Sequence, residues 1–403
     1  MSKREQNIII LLLGGLAALG PFAIDMYLPG FPAIAEDLNT DIAHVGLSLT
    51  SYFIGISVGQ LIYGPLVDRF GRKKPLIVGL SIFVMAAVGC AFVPTVEWLI
   101  ALRLLLALGG CVGMVASRAV VRDVFPVQEI PKVFSMLVLV MGVAPIVAPT
   151  IGGFVTATFG WRYIFVVLAS IGAVTLLAVG TFLKESKGPD PTLSLKPDKV
   201  LGEFIGVLKN RSFLTYALAA SAAQAGMFAY ISGSPFVFME ILDLSETQFG
   251  WAFGMNAFGY ISGSQLNRLA LKRKTTAQVT LIAGSVQFLL GAFLLISTII
   301  GFLPTFGTLI LIFSYMFSLG FIAPNATALA LEPFARNAGS ASALMGSFQM
   351  AIGALASVLV SVFHNSTAIP MTAVMFGATI ISVSLLLGFR RYTKRVQLER
   401  QLA

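Results

Sequence analysis

The sequence predicts an all-α membrane protein with twelve transmembrane helices arranged in two six-helix halves. Three observations lead there. Of 403 residues, 57% are hydrophobic and 11% charged, with mean hydropathy +0.89; soluble proteins carry about 25% charged residues. Twelve apolar stretches have roughly the 20 residues a helix needs to cross the hydrocarbon core. One polar stretch in the middle divides them six and six.

The first span, 8–28, follows a basic start (Lys3, Arg4), as a signal peptide would. The apolar run continues to Leu28, however, and no small-residue cleavage site precedes a soluble domain, so it is expected to be a retained helix. Spans 45–65, 75–93, 97–117, 133–157 and 163–183 complete the first half. All are too long for strands. The stretch "KESKGPDPTLSLKPDKVLGEF" mixes Pro, Gly, Ser and charges, the composition of a linker. The expected division is 1–186, a cytoplasmic linker 187–211, and 212–403. The second half holds spans 213–233, 248–268, 277–299, 303–325, 340–362 and 369–389. The halves share a short repeat, "GPLVDR" (Gly64–Arg69) and "GSQLNR" (Gly263–Arg268), each at the end of the second span of its half. Parallel six-helix repeats place a binding site near the midplane, between the halves.

The formal net charge of +9 suggests nucleic acid until the charges are placed. With the amino terminus inside, 25 of the 27 Lys and Arg fall on the inner side; the exceptions are Arg103 and Arg162. The positive-inside rule then puts both termini in the cytoplasm and makes the basic surplus a matter of topology. Cys90 and Cys111 both lie in apolar spans and read as small hydrophobes, so no structural disulfide is expected. His44 and His364 lie at outer helix ends. No metal-ligand spacing or His-based catalytic set occurs, and no cofactor is expected.

Two ionisable residues lie clearly inside spans, Asp25 in the first and Arg103 in the fourth. An ion inside the membrane is costly and by default functional. Helix one runs outward and helix four inward, so both charges fall in the outer half of the bilayer at similar depth. Arg103 lies six residues beyond Glu97, roughly 9 Å in, so snorkelling to the outer surface is the alternative. Burial and a nearby arginine act on a carboxylate in opposite directions, which makes Asp25 a candidate proton carrier with Arg103 as its partner.

The loop "GPLVDRFGRKKPL" turns sharply, and Gly64 and Gly71 are expected to permit close backbone approach. Its single acid, Asp68, sits among Arg69, Arg72, Lys73 and Lys74. Asp68 could accept bonds from an arginine such as Arg122, or lie at a helix amino terminus. Either contact would close the cytoplasmic side, so Gly64, Asp68, Arg69, Gly71, Arg72 and Arg122 form a candidate gate. Lys73 and Lys74 are expected only to hold the loop inside.

The pattern Gly-x-Leu-x-Asp-Arg-x-Gly-Arg-Lys in this loop resembles the signature of the major facilitator superfamily. "FAIDMYLPGFPAI", "RAVVRDVF", "APIVAPTIGGF" and "PNATALALEPFARNAGSASALMGSF" resemble the bicyclomycin-resistance (Bcr/CflA-type) drug transporters, and the likeness covers the whole chain. "APTIGG" is similar to the antiporter motif of helix five, with Ala148 standing where the pattern has its first glycine. Pro145, Pro149, Gly152 and Gly153 would then shape a bent, closely packed helix. Arg103 resembles the arginine of helix four. The resemblance implies a major facilitator fold in a bacterial inner membrane. It also implies proton-coupled export of small drug-like molecules, with helices one, four, seven and ten lining a central cavity.

Candidate cavity residues are Tyr27, Tyr52, Gln224, Phe228, Tyr230, Asn256, Tyr260, Asn325, Met345 and Gln349; adaptable aromatic and Met surfaces suit promiscuous binding. The residues two turns before Asp25 are Ala17 and Ala18, so no second acid lies deeper in helix one. One proton per cycle and poor transport of dications are expected. The expected partners are a small-molecule substrate, protons and membrane lipid, with no nucleic acid, and a monomer is expected. A rival reading is a transporter of one metabolite, a nucleoside or amino acid, possibly by symport. A membrane-embedded enzyme or receptor is disfavoured by the missing catalytic set and soluble domain.

Overall fold

A computed structural model of the chain describes residues 3–126, 129–190, 197–302, 304–334 and 338–402. In lipid, backbone polar groups must bond within the segment, and a helix does this alone. Among the described residues every regular element is helical. The first part comprises α1 (Lys3–Asp25), a 3-10 turn (Leu28–Gly30), the short α2 (Phe31–Asp37), α3 (Ile42–Phe70), α4 (Lys73–Ala91), α5 (Val96–Val124), α6 (Ile130–Phe159) and α7 (Arg162–Phe182). Then follow α8 (Pro197–Leu208), α9 (Arg211–Pro235) with a π-helical turn (Phe236–Ile241), α10 (Glu246–Ala270), α11 (Thr276–Ile300), α12 (Thr305–Leu331), α13 (Ala338–Val362) and α14 (Ile369–Leu402). Apart from the short α2 and α8, these helices correspond one to one with the twelve spans of the sequence.

Ten of them are long and apolar enough to cross a membrane on composition alone. The other two are α9 and α10. Each has 25 residues, about 38 Å of helix, but α9 carries Ser221, Gln224 and Ser232, and α10 carries Asn256, Ser264 and Asn267. Gln224, Asn256 and Asn267 among these bond within the protein, as described below.

Several helix starts are fixed locally. Asp41 caps α3 by accepting the His44 N–H at 2.7 Å, and Thr275 with Gln278 forms a capping box on α11. Arg162, an exception to the charge pattern, pairs with Asp37, which also accepts the Trp161 indole N–H. The linker 187–211 contains α8; its residues 191–196 lie outside those described, as does Arg336 of the inner-side cations.

Contacts group the chain into two compact units, Met1–Gly202 with Ser234–Gly254, and Glu203–Gly233 with Met255–Ala403. In the first, α3 lies along α5, α4 against α5 and α7, and α1 against α6; in the second, α11 lies against α12 and α14. The units depart from the chain halves at one place, because 234–254 joins the first. There α10 meets α6 closely: a Cβ on Gly250 would stand 3.0 Å from Thr150 Cα, and one on Gly254 3.3 Å from the Ile146 carbonyl oxygen.

Candidate functional site

Asp25 is the last residue of α1, a helix with Pro21 inside it and Pro29 in the turn that follows. Arg103 lies on α5 and is 0% exposed, which excludes snorkelling. Its Nη1 donates to the Ala23 carbonyl at 2.7 Å. Its guanidinium carbon stands 4.3 Å from the Tyr27 ring centroid and 4.4 Å from that of Tyr52. The Tyr27 hydroxyl donates to Ser48 Oγ at 2.7 Å, and Ser48 donates in turn to Val45 O. Tyr52 donates to Gly20 O at 3.5 Å. Tyr27 and Tyr52, candidates for the cavity wall, are therefore fully buried against the arginine.

Arg103 Nε and Nη2 have no hydrogen-bond partner among the described residues. A desolvated cation–π contact contributes about 2 kcal/mol, while burying an ion costs several. Two rings and one carbonyl thus leave the guanidinium short of compensation, with two donors to offer. Asp25 is 4% exposed. Among the described residues no ion pair joins it to Arg103 or to any other cation. Arg103 is thus anchored on the stretch of α1 that carries Asp25, without a bond to Asp25 itself. Among the described residues no cation fixes the charge of the carboxylate, and no carboxylate occupies the cation.

The α3–α4 turn is organised by Arg72, which is 4% exposed. Its Nη1 reaches Asp68 Oδ1 and Val67 O at 2.8 Å, and its Nε reaches Asp123 Oδ2 at 2.7 Å. Burial works against the Arg72 charge, but the bonds and charges of Asp123 and Asp68 outweigh it and hold the pKa above the ordinary arginine value. The partner of Asp68 is thus Arg72, one turn on, and not Arg122, which is exposed. Asp123, on α5, was missed in the sequence although it stands next to Arg122.

The turn is clasped from a distance. Gly71 has φ +84°, and a Cβ there would stand 2.7 Å from Glu185 Oε2. Glu185 accepts the N–H of Arg72 at 2.7 Å and of Lys73 at 3.2 Å. It caps α4, which has no capping side chain of its own. Ser186 donates to Asp123 at 3.0 Å, and Asp190 and Arg69 bond through their backbones at 3.1 Å. Lys73 donates to Gly180 O in the last turn of α7, where a cation complements the helix dipole. Lys73 therefore does more than hold the loop on one side. Gly64 corrects the expectation of close approach, since a Cβ there would meet nothing within 4 Å.

On α6 the helix runs unbroken through Pro145 and Pro149. The two glycines beyond them each meet a different backbone. A Cβ on Gly152 would run into the Met26 carbonyl, 2.8 Å from its carbon, and one on Gly153 would lie 2.7 Å from Glu246 O. Gly152 is what allows α6 to touch the chain one residue after Asp25.

In the second unit, five of the candidate cavity residues are held in side-chain bonds. Asn256 donates to Tyr230 Oη at 3.1 Å, and Tyr260 bonds to Gln224. These are two rungs between the antiparallel α9 and α10. Asn325 and Asn267 exchange amide bonds at 2.7 and 3.1 Å. Asn267 occupies the place in "GSQLNR" that Asp68 occupies in "GPLVDR", so the repeat holds its corner by amides where the first half uses ions. Phe228 is buried against Gly353, Met345 is buried and Gln349 is half-buried.

Comparison with known proteins places this geometry in a family. The description of the Major Facilitator Superfamily matches residues 13–358. An uncharacterized MFS-type transporter of Bacillus subtilis, YdgK, is 39% identical over 94% of both chains. A bicyclomycin resistance protein homolog of Haemophilus influenzae is 34% identical over 94% of this chain and 96% of its own. The multidrug resistance protein MdtL of Escherichia coli is 30% identical over 92% and 93%. Among solved structures, a bacterial homolog of the human lysosomal transporter Spinster, inward-facing and unoccupied, superposes with TM-score 0.70 at 14% identity, covering 96% of this chain and 95% of that one. That last likeness concerns the fold alone.

Proposed function

The chain belongs to the Major Facilitator Superfamily, as a multi-pass membrane transporter of small molecules rather than an enzyme; from that premise we propose that it exports small amphipathic compounds across a bacterial inner membrane in exchange for protons. It acts as a monomer with both termini in the cytoplasm, by alternating access about a midplane site. Relatives named for bicyclomycin and multidrug resistance support the substrate class.

The observation that carries the coupling ion is the buried, cation-free Asp25 beside an under-compensated Arg103. In one state Asp25 holds a proton. When the proton leaves, the carboxylate is an ion in a dry setting, and the Arg103 guanidinium, with Nε and Nη2 idle, is anchored through Nη1 on the Ala23 carbonyl two residues away. Substrate that disturbs either group changes the proton affinity of the other, which is the differential interaction coupling requires. The α3–α4 turn, with Arg72 at its centre, is the element whose closure this exchange controls.

The test uses membrane vesicles with an imposed pH gradient and a panel of neutral, cationic and amphipathic compounds. Efflux should require the gradient, and Asp25→Asn should abolish the gradient-driven part while the variant stays folded. Full gradient-driven efflux by that variant would remove Asp25 from the coupling path.

A further inference from the structure

The second unit holds a groove that plays no part in the reading above. It is an open groove of about 410 Å³ between the first turn of α9 and the last membrane-level turns of α14. Arg211 stands at one end with its guanidinium 5.1 Å from the Tyr392 ring. Leu214 and Phe389 form the apolar wall, and Thr215 and Ser384 add two hydroxyls.

Three features bear on what it could bind. The first is depth. Tyr392 closes the apolar stretch of α14, and Ser384 lies eight residues back, about 12 Å deeper. The groove therefore runs from the membrane interface into hydrocarbon, which suits an amphiphile and not a water-soluble ion. The second is charge. Among the described residues no carboxylate pairs with Arg211, and Arg391 is exposed one residue from Tyr392. Basic pockets between helices at the interface recruit anionic head groups. A zwitterionic head would bring an ammonium group to a cation. The third is the hydroxyls. Many helical Ser and Thr elsewhere in the chain bond back to a carbonyl three or four residues earlier, as Ser318 and Ser221 do. Thr215 and Ser384 have no such partner among the described residues and remain available as donors.

We propose that this groove binds one anionic glycerophospholipid, its phosphate on Arg211 and its first acyl methylenes along Leu214 and Phe389. The volume lies within the range of about 300–1,000 Å³ for small-ligand clefts. It takes the head group and the start of a chain, the remainder lying in the bilayer.

Native mass spectrometry of the purified full-length protein, with phosphatidylglycerol, phosphatidylcholine or inorganic phosphate added, tests this. The wild type should retain one phosphatidylglycerol in clear preference to phosphatidylcholine. Arg211→Gln should lower that preference about tenfold. Gly388 lines the groove, and a Cβ there meets nothing within 4 Å; Gly388→Leu should fill the groove and abolish retention without lowering the melting temperature in lipid-free detergent. Equal retention of the two lipids, unchanged retention in both variants, or displacement of phosphatidylglycerol by millimolar inorganic phosphate would each overturn the proposal. The last would make it a free-anion site.

Discussion

Replacing Gly152 by alanine adds a single methyl group at the point where α6 meets the chain beside Asp25. The new Cβ would lie 2.8 Å from the Met26 carbonyl carbon, and the carbonyl oxygen is nearer still; ordinary contact begins at 3.4 Å. Both sides of the clash are backbone, so no rotamer change relieves it. The shortfall, about 0.6 Å to the carbon and more to the oxygen, has to come from movement of α6 or of the end of α1. Overpacking of this kind costs about 1–3 kcal/mol. Met26 is bonded to Asp25, so the displacement passes to the carboxylate, where a shift of about 1 Å can cost roughly a hundredfold in rate. We expect Gly152→Ala to melt a few degrees lower in detergent and to lose about tenfold in gradient-driven vesicle efflux. Gly15→Ala, on α1 where a Cβ meets nothing within 4 Å, is the control and should leave both unchanged. A Gly152→Ala protein with wild-type melting and efflux would refute the close-approach argument, as would equal damage from Gly15→Ala.

Arg103→Lys keeps the charge but loses the planar face that Tyr27 and Tyr52 cover; efflux should fall about tenfold or more with the protein still assembled, as size-exclusion profiles would show. Glu185→Ala removes the remote cap of α4, worth about 0.5–2 kcal/mol, so hydrogen exchange at the Arg72 and Lys73 amides should quicken several-fold. Asn267→Ala and Asn325→Ala each strand a buried amide and should cost about 1–3 kcal/mol. The double variant should cost less than the two combined, which denaturation curves can resolve. With Asp25 as the single proton site, proton release per drug should be one for neutral compounds, and dications should be exported poorly; ratiometric pH dyes in loaded vesicles would measure both.

The helices were legible because length and hydropathy decide them almost alone. The least apolar pair, α9 and α10, could still be read as spans, and the structure gives the reason for their polarity: the Tyr230–Asn256 and Gln224–Tyr260 rungs. Asp25 and Arg103 stood out because ions are rare inside apolar runs. Their surroundings did not, since nothing in a sequence tells which of many aromatic rings faces a cation, and Tyr27 and Tyr52 read equally well as cavity wall. The α3–α4 turn was visible by its motif and only half understood. Asp123 comes to Arg72 from 51 residues away and Glu185 from 113, separations at which charge pattern carries no pairing information. Gly71 and Gly64 looked alike on paper; only the backbone angle and the neighbours separate them.

The two corresponding corners of the repeat answer to different variables. Asp68 is 54% exposed where it meets Arg72, so mobile ions reach that pair, and charges in water are screened over about 8 Å at physiological ionic strength. The Asn267–Asn325 pair is neutral and buried, and dissolved ions pass it by. Added salt should therefore weaken the Asp68–Arg72 contact and leave the Asn267–Asn325 pair as it was.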